Sequence, residues 1–355
     1  MINKDSFKKE WIEGINTNRG KLEIIEKEIY ALYLVECLSK TKIDYVFKGG
    51  TSLMLMFDSI KRFSTDIDIL VEEANLDSII DCFPKFIDEE VFLHFEENKR
   101  IDKGIKKRHF KFFYNSIISD KQNYVILDIV YEIIPYSKLI DRTLAAPILK
   151  LDEPNVIVKT PNITNILVDK LTAFAPNTIG ITYQSEKYTE IIKQLYDISL
   201  LYTECTNFEN IGTLYESMAN SELKCRINLK NTNPIDCLQD SIDTYKIILS
   251  QGGTNSENYQ KLLNGIKGFS NFVSEEFKFK NVYEYATNVY ILCLIIRSGG
   301  IEQYKKYASE VRNDKIRSSF ISKTYKELRY NLNEKYLELE EAIKIESFFF
   351  LPLKV

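Results

Sequence analysis

The sequence predicts an α+β fold, in which a mixed-sheet domain over residues 1–160 is followed by a helical domain over residues 161–355. Two patterns lead to this prediction. Before residue 160, short segments rich in β-branched and aromatic residues alternate with helical patterns and glycine turns. From about residue 206 onward, almost the whole chain has helical apolar spacing. A length of 355 residues is also typical of two domains.

The elements of the first domain follow from local patterns. Residues 22–40 have apolar residues at helical spacing and predict a long helix. The segment "DYVFKGG" predicts a short strand that ends in a glycine turn at Gly49 and Gly50, and the Thr-Ser pair of "TSLMLMF" is suited to cap a helix. A helix bent near Pro84 is predicted for "NLDSIIDCFPKFIDEE". Strands are predicted for "TDIDILV", "VFLHFEE", "RHFKFFYNSI", "YVILDIVYEI" and "NVIVKT".

The second domain begins with two predicted helices, "ITNILVDKLTAFA" and "EKYTEIIKQLYDISLLY". Its last segment, "SFFFLPLKV", is strongly apolar. We expect this tail to pack on its own domain, and the alternative is a strip that binds a partner.

Composition excludes several classes of protein. The net charge of -4 argues against a generally basic nucleic-acid binder, and no DNA partner is expected. No apolar run reaches the ~18 residues that a membrane span needs, so no membrane partner is expected. The first residues are polar and of mixed charge, unlike a secretory signal, so we expect a cytoplasmic protein.

The ligand types available restrict any metal site. The six cysteines are scattered without a C-x-x-C pair and are predicted to be reduced and mostly buried, and only His94 and His109 could add imidazole ligands. A zinc site of nitrogen and sulfur ligands is therefore not expected. A metal would bind carboxylates, which favours magnesium, manganese or calcium.

Two aspartates stand in the predicted strand "TDIDILV". Residues i and i+2 of a strand share a face, so Asp66 and Asp68 project side by side while Ile67, Ile69 and Val71 face the core. Two adjacent carboxylates repel each other unless a cation or hydrogen bonds compensate. A lone D-x-D is most often a surface turn or a strand edge, but the apolar flanks here favour a bridging divalent cation.

Two further features support a phosphate chemistry. The turn before the strand, Gly49-Gly50-Thr51, feeds a predicted helix and offers backbone N–H groups to phosphate. Asp128 lies mid-strand between apolar neighbours, where an unpaired carboxylate is costly. Acidic residues on neighbouring strands can hold two magnesium ions about 4 Å apart, the arrangement that supports nucleotidyl transfer.

Taken together, these motifs resemble a known family. The segment "KGGTSLMLMF…KRFSTDIDI" resembles the opening motif of the AbiEii-type nucleotidyltransferases, which are toxins of bacterial abortive-infection and toxin–antitoxin pairs in the DNA polymerase β-like nucleotidyltransferase superfamily. "NILVDKLTAF" resembles the family's lysine helix and places that lysine at Lys170. "KQLYDISLL" resembles its R-D-x-x-D-x-x-x-L helix and places the second acid at Asp197, with Lys193 and Gln194 at the first two positions.

The resemblance implies a role for each matching residue. Asp66 and Asp68 are implied as catalytic metal ligands, and Asp128 fits the superfamily's third metal-binding carboxylate. Lys170, from the helical domain, is implied to meet the triphosphate and counter charge on the leaving group. Asp197, from the same domain, is implied to orient that lysine or the acceptor. Alternatively, Lys170 is a solvated helix residue, and Asp197 pairs with a lysine one turn away on its own helix.

The glycine turn is implied to bind the nucleotide. Gly49, Gly50 and Thr51 would cradle the triphosphate, with help from Ser64 just before the acidic pair. The simpler alternatives are a plain tight turn at the two glycines and a local strand-entry cap at Ser64.

The resulting prediction is a nucleotidyltransferase that depends on Mg²⁺ or Mn²⁺ and moves an NMP from an NTP to a hydroxyl, releasing pyrophosphate. The resemblance implies a toxin with a cognate antitoxin and an RNA acceptor such as tRNA. Residues 99–111 hold seven Lys or Arg against one Asp and are a predicted acceptor surface, the alternative being a solvated hairpin. Charge reversal at Lys106 and Lys107 is then expected to weaken RNA binding.

Two alternatives stay open at this point. The first is a nucleotidyltransferase that modifies a protein or small-molecule hydroxyl, which only the identity of the acceptor separates from the RNA prediction. The second is a catalytically silent module that keeps the fold for partner recognition, which predicts lost carboxylates, whereas Asp66, Asp68 and Asp128 are all present.

Overall fold

The computed structural model describes residues 1–15, 21–87, 91–99, 106–131, 134–273, 277–312 and 324–350. The chain divides into two compact units. The first comprises Met1–Asn162 with Phe272–Glu276, and the second comprises Ile163–Asn271 with Phe277–Val355. The returning segment joins the first unit where the amide of Phe63 donates a 2.6 Å hydrogen bond to the carbonyl of Phe272.

The first unit contains a mixed sheet of five strands and a separate hairpin. In chain order the strands are β1 Val46–Lys48, β2 Asp66–Val71, β3 His94–Glu97, β4 Lys107–Asn115, β5 Gln122–Tyr131, β6 Leu139–Thr143 and β7 Ile157–Pro161. The sheet order is β1-β2-β5-β4-β3, and β6 pairs with β7. Among these strands β2 and β5 run parallel, and the other described pairs are antiparallel. The predicted α+β class with a mixed sheet is confirmed.

Helices of the first unit are α1 Lys9–Gly14, α2 Leu22–Lys40, α3 Gly49–Ser52 and α4 Leu76–Ile80. The long helix predicted over residues 22–40 is confirmed as α2. Its apolar side covers one face of the sheet, where the ring of Tyr30 stacks on that of Tyr114 at 3.7 Å. Fully buried side chains on this core face include Ile25, Ile29, Ile67, Ile69, Leu127, Ile129 and Phe112.

Glu26, a buried carboxylate on α2, holds the turn between β4 and β5. Glu26 accepts hydrogen bonds from the hydroxyl of Ser116 at 2.6 Å and from the amide of Ile117 at 2.7 Å. These donors lie at the start of the turn between β4 and β5, so α2 fixes where the two central strands reverse. Burial raises the pKa of Glu26, and the hydrogen bonds from Ser116 and Ile117 oppose that shift.

The structure differs from the sequence prediction at three elements. The helix predicted from "TSLMLMF" is shorter, because α3 ends at Ser52 and a 3₁₀ turn over Leu53–Leu55 follows. The hydroxyl of Ser52 bonds the carbonyl of Gly49 at 2.9 Å, a local bond that competes with regular helix. The predicted bent helix is α4 followed by a 3₁₀ turn over Phe83–Phe86, and residues 88–90 lie outside the described residues.

The third difference is strand β6, which the sequence did not predict. It is short and carries Asp141 and Arg142, so its apolar content is low. Its pairing with β7, in which Asp141 stands opposite Lys159, makes it a strand.

The described part of the second unit is helical. Its helices are α5 Ile163–Ala173, α6 Tyr188–Glu204, α7 Ile211–Lys224, α8 Pro234–Leu249, α9 Ser256–Phe269, α10 Phe279–Arg297, α11 Ile301–Val311, α12 Thr324–Leu332 and α13 Lys335–Ile345. Of the helices described in the two units, none combines the length and apolar character that crossing a bilayer requires.

The apolar tail packs on its own unit as far as it is described. The ring of Phe349 stacks on that of Tyr307 at 3.9 Å, and the guanidinium of Arg297 lies 4.9 Å from the ring centroid of Phe350. The expected packing on its own domain is therefore confirmed to residue 350, and residues 351–355 lie outside the described residues. All six cysteines are free, and most are buried, as predicted.

Candidate active site

A row of four charged or titratable residues crosses the sheet of the first unit. Lys48 on β1 stands opposite Asp68 on β2, and Asp68 stands opposite Asp128 on β5. Asp128 in turn stands opposite His109 on β4. Residues in register on neighbouring strands share a face, so these four side chains form one line across four strands. We call this line the carboxylate row.

The face that carries the row is opposite the core. Ile67, Ile69 and Val71 of β2 are completely buried on the core face, as predicted. Asp66 and Asp68 alternate with them and lie on the other face, with Asp66 exposed and Asp68 half-buried. The strand thus keeps Ile67, Ile69 and Val71 on the core face and directs its two carboxylates to the other face.

Asp128 is held by a histidine that sequence reasoning did not single out. Nδ1 of His109 lies 2.6 Å from Oδ1 of Asp128, and His109 is only 6% exposed. The two groups form a hydrogen bond in which a ring N–H at Nδ1 donates to the carboxylate oxygen. No local sequence signal singles out His109, because it shares the face of Asp128 only through the register of β4 with β5.

The glycine turn packs directly on Asp68. Gly49 has φ +77°, a conformation that favours glycine, and it begins the turn at the end of β1. A Cβ at this position would lie 2.1 Å from Oδ2 of Asp68. The backbone of the turn and the carboxylate therefore approach each other more closely than any residue with a side chain would allow.

The rest of the turn contacts the segment that leads into β2. A Cβ on Gly50 would lie 2.6 Å from both the guanidinium of Arg62 and the hydroxyl of Ser64. The Thr51 hydroxyl donates to the carbonyl of Ser64 at 3.1 Å and to that of Asp66 at 2.7 Å. The structure thus brings together the four residues predicted to bind the nucleotide, and it places them beside the carboxylates.

A second buried glutamate of α2, Glu28, holds the segment that leads into β2. Oε1 of Glu28 accepts a 2.6 Å hydrogen bond from the amide of Ser64, and its side chain is completely buried. Burial raises the pKa of Glu28 well above its usual range, and the Ser64 amide and the charge of Arg62 oppose that shift. Glu28 and Arg62 are site-supporting residues that the sequence analysis missed, since neither falls in a recognisable spacing.

The oxygen donors of this face fit a hard divalent cation. Asp66 and Asp68 supply carboxylates on one face, the ligand type that Mg²⁺ and Mn²⁺ prefer. Among the described residues no three His, Cys, Asp or Glu side chains converge into a metal cage. Mg²⁺ is commonly held by one or two carboxylates together with substrate phosphates, so a carboxylate pair is a suitable donor set without a cage.

In the second unit, the structure pairs the two residues predicted there. Nζ of Lys170 on α5 lies 3.0 Å from Oδ2 of Asp197 on α6, and both side chains are almost completely buried. Lys170 is therefore not a solvated helix residue. Lys193, one turn before Asp197, donates to Glu190 at 2.8 Å.

The basic stretch over residues 99–111 divides into two groups. Lys106 pairs with Glu73 at 2.6 Å, and Arg108 forms two hydrogen bonds with Glu97 at 2.8 and 2.9 Å. Lys107 and Lys111 alternate with Arg108 and share the face of His109 and the carboxylate row. Residues 100–105 lie outside the described residues.

Two solved structures are similar to this chain. JHP933 from Helicobacter pylori has a solved structure that is 14% identical and covers 82% of this chain and 99% of its own, with a TM-score of 0.46. A second H. pylori structure, reported under a provisional nucleotidyltransferase name, is 15% identical and covers 79% of this chain and 95% of its own, with a TM-score of 0.44. No curated protein matches the chain.

The family model described as "Nucleotidyl transferase AbiEii toxin, Type IV TA system" matches residues 32–268. That span contains the glycine turn, all three aspartates of β2 and β5, and the Lys170–Asp197 pair. The resemblance seen in the sequence is thereby confirmed. The chain belongs to the AbiEii family of nucleotidyltransferase toxins of type IV toxin–antitoxin systems.

Proposed function

We propose that this protein is a toxin that transfers an NMP from an NTP to a hydroxyl acceptor, with Mg²⁺ or Mn²⁺ as cofactor and pyrophosphate as leaving group. The observation that carries the proposal is the contact between the glycine turn and Asp68. The turn offers backbone N–H groups, which donate hydrogen bonds to phosphate oxygens. Beside it lies a carboxylate that can share a cation with the same phosphate.

Each residue of this face has a proposed role. Asp66 and Asp68 hold the divalent cation, which when bound supplies charge neutralisation at the phosphates. The backbone of Gly49, Gly50 and Thr51 and the hydroxyl of Ser64 position the triphosphate. Asp128 is the third carboxylate and stands opposite Asp68 across the parallel strand pair.

The proposal extends to the helical unit, in agreement with the order of the family's motifs. Lys170 meets the triphosphate as a point charge and stabilises the charge that develops on the departing pyrophosphate. The Asp197 carboxylate, 3.0 Å from the Lys170 ammonium, fixes the position of that ammonium. A catalytic contribution of Lys170 and Asp197 stays a prediction drawn from the family's motifs.

We propose RNA, of the tRNA type, as the acceptor. Lys107 and Lys111 support this choice, because they stand on the same face as the carboxylates and carry the charge that a phosphate backbone needs. Nζ of Lys111 lies 4.4 Å from the centroid of the Tyr124 ring, on the same face. The cation and the ring together resemble the mixed basic and aromatic surfaces that bind single-stranded nucleic acid.

Charge reversal separates the two groups of basic residues. The Lys107→Glu/Lys111→Glu variant is expected to weaken RNA binding and to reduce the slope of log K against log salt by about 0.7–0.9 for each lost phosphate contact. Lys106→Glu/Arg108→Glu makes the same change in net charge at the two residues that pair with Glu73 and Glu97, and we expect it to keep most of the affinity. Fluorescence anisotropy with labelled tRNA at several salt concentrations measures both. Equal losses in the two variants would contradict the proposed surface.

The biological role follows from the family. As the toxin half of a type IV pair, the protein is proposed to act in the cytoplasm beside a cognate antitoxin and to stop growth during phage infection, which is abortive infection. The alternative is a nucleotidyltransferase that marks a protein or a small molecule.

The acceptor class is tested by labelling three pools. Purified protein is incubated with each α-labelled NTP and Mg²⁺, and with total bacterial RNA, total protein or a small-molecule extract. Label in RNA, extended by one or a few nucleotides, supports the proposal. Label in protein or in small molecules alone overturns the RNA acceptor and keeps the transferase. A lack of label in every pool favours a catalytically silent module.

A further inference from the structure

We propose that His109 is a positioning residue that fixes the carboxylate of Asp128 for cation binding, an inference that rests on the proposed function. His109 and Asp128 are register partners on β4 and β5. The 2.6 Å separation of Nδ1 and Oδ1 places the imidazole and the carboxylate in direct hydrogen-bonding contact.

The histidine itself is well held. Its side chain is 6% exposed. Its carbonyl accepts a 2.8 Å hydrogen bond from the amide of Asn98, the residue that follows edge strand β3, so its backbone is fixed as well. Asp128 is 20% exposed, which leaves part of the carboxylate accessible from the carboxylate face. A buried donor beside a partly exposed acceptor is the arrangement by which an outer group orients a metal ligand.

The carboxylate row explains why the hydrogen bond between His109 and Asp128 matters. Neighbouring strands are about 4.8 Å apart, so Asp68 and Asp128 bring two negative side chains side by side, and directly opposed like charges destabilise a sheet. The bond to His109 commits Oδ1 of Asp128 on the side away from Asp68. The rotation of this carboxylate is thereby restricted, and its other oxygen, Oδ2, would be the atom available to hold a cation.

Two substitutions of similar polarity separate positioning from packing. In His109→Asn the amide nitrogen can occupy the place of Nδ1 and donate to Asp128, whereas in His109→Gln the amide lies one carbon farther out, near the place of Nε2. The other histidine provides a matched control, because His94 stacks on Phe113 at 4.3 Å on edge strand β3 and is 43% exposed.

The test measures Mn²⁺ binding to the full chain without nucleotide, by electron paramagnetic resonance of free Mn²⁺. Loss of an outer-shell partner typically costs about 10- to 100-fold in metal affinity, so His109→Gln is expected to fall within that range. His109→Asn is expected to remain within about threefold of the wild type, and His94→Gln to be unchanged. Circular dichroism and thermal unfolding of each variant show that the folded protein is being compared.

The outcomes separate this inference from the proposed function. Mn²⁺ affinity of His109→Gln equal to that of the wild type, or equal losses in His109→Gln and His109→Asn, would overturn the positioning role. If either variant does not fold, Asp128→Asn decides, since unchanged Mn²⁺ affinity there removes the reason for positioning Asp128. Wild-type Mn²⁺ affinity in Asp66→Ala/Asp68→Ala would instead overturn the proposed cation site.

Discussion

Replacing Lys170 by methionine is expected to destabilise the second unit by about 3–5 kcal/mol, because Asp197 loses its ammonium partner while remaining completely buried. Transfer activity is expected to fall as well, by about 10²–10³-fold, the usual effect of removing one group that stabilises developing charge. Denaturant unfolding followed by circular dichroism measures the first effect, and label transfer from an α-labelled NTP measures the second.

A double substitution separates the two effects. Lys170→Met/Asp197→Leu replaces the buried pair by apolar residues, which is often neutral or stabilising, so stability should recover. Activity should not recover if Lys170 acts on the triphosphate. Lys246→Met is the matched control, since Lys246 pairs with the buried Glu346 at 2.7 Å in the same unit. Equal loss of activity per folded molecule in Lys170→Met and Lys246→Met would show that Lys170 has only a structural role.

Replacing Gly49 by alanine is expected to abolish most transfer activity, by about 10²-fold or more if one cation ligand worth several kcal/mol is displaced. The new methyl group would stand 2.1 Å from Oδ2 of Asp68, so the carboxylate or the turn must move. Mn²⁺ affinity should fall with activity, because the carboxylate that moves is a proposed cation ligand.

Gly299 controls for the backbone strain of this substitution. It has φ +87° and nothing within 4 Å of an added Cβ, so Gly299→Ala carries the backbone cost of about 1–2 kcal/mol without a steric clash. We expect this variant to lose stability and keep full activity per folded molecule. Full activity in Gly49→Ala, by contrast, would mean that the position of Asp68 does not matter for the reaction.

Alternation along a single strand was enough to predict the two faces of β2. Asp66 and Asp68 share a face, and the intervening isoleucine is buried, because side chains in any strand alternate regardless of which strands lie beside it. The predicted helix over residues 22–40 was equally local, since its spacing and length decide it.

Pairing between distant segments could not be predicted. Asp68 and Asp128 are 60 positions apart and meet only because β2 pairs with β5 rather than with β3, and nothing local selects that neighbour. His109 has the same origin, because its place opposite Asp128 depends on the register of the β4–β5 hairpin. The contact of Gly49 with Asp68 also needs the antiparallel pairing of β1 with β2.

The contact between Lys170 and Asp197 in the second unit could be predicted only with the help of the family resemblance. No spacing in "NILVDKLTAF" or "KQLYDISLL" predicts that Lys170 and Asp197 meet, since each alone is compatible with a helix surface. The family resemblance supplied the expectation, and the packing of α5 against α6 provides the contact.

The central claim is that the carboxylate face of the first unit transfers nucleotides. Its most direct measurement compares the wild type with Asp66→Asn/Asp68→Asn, each incubated with every α-labelled NTP, Mg²⁺ and total bacterial RNA. The account predicts label in an RNA band from the wild type and at least about 10³-fold less from the variant, whose lost ligands are worth several kcal/mol. Equal labelling by a correctly folded variant would contradict it.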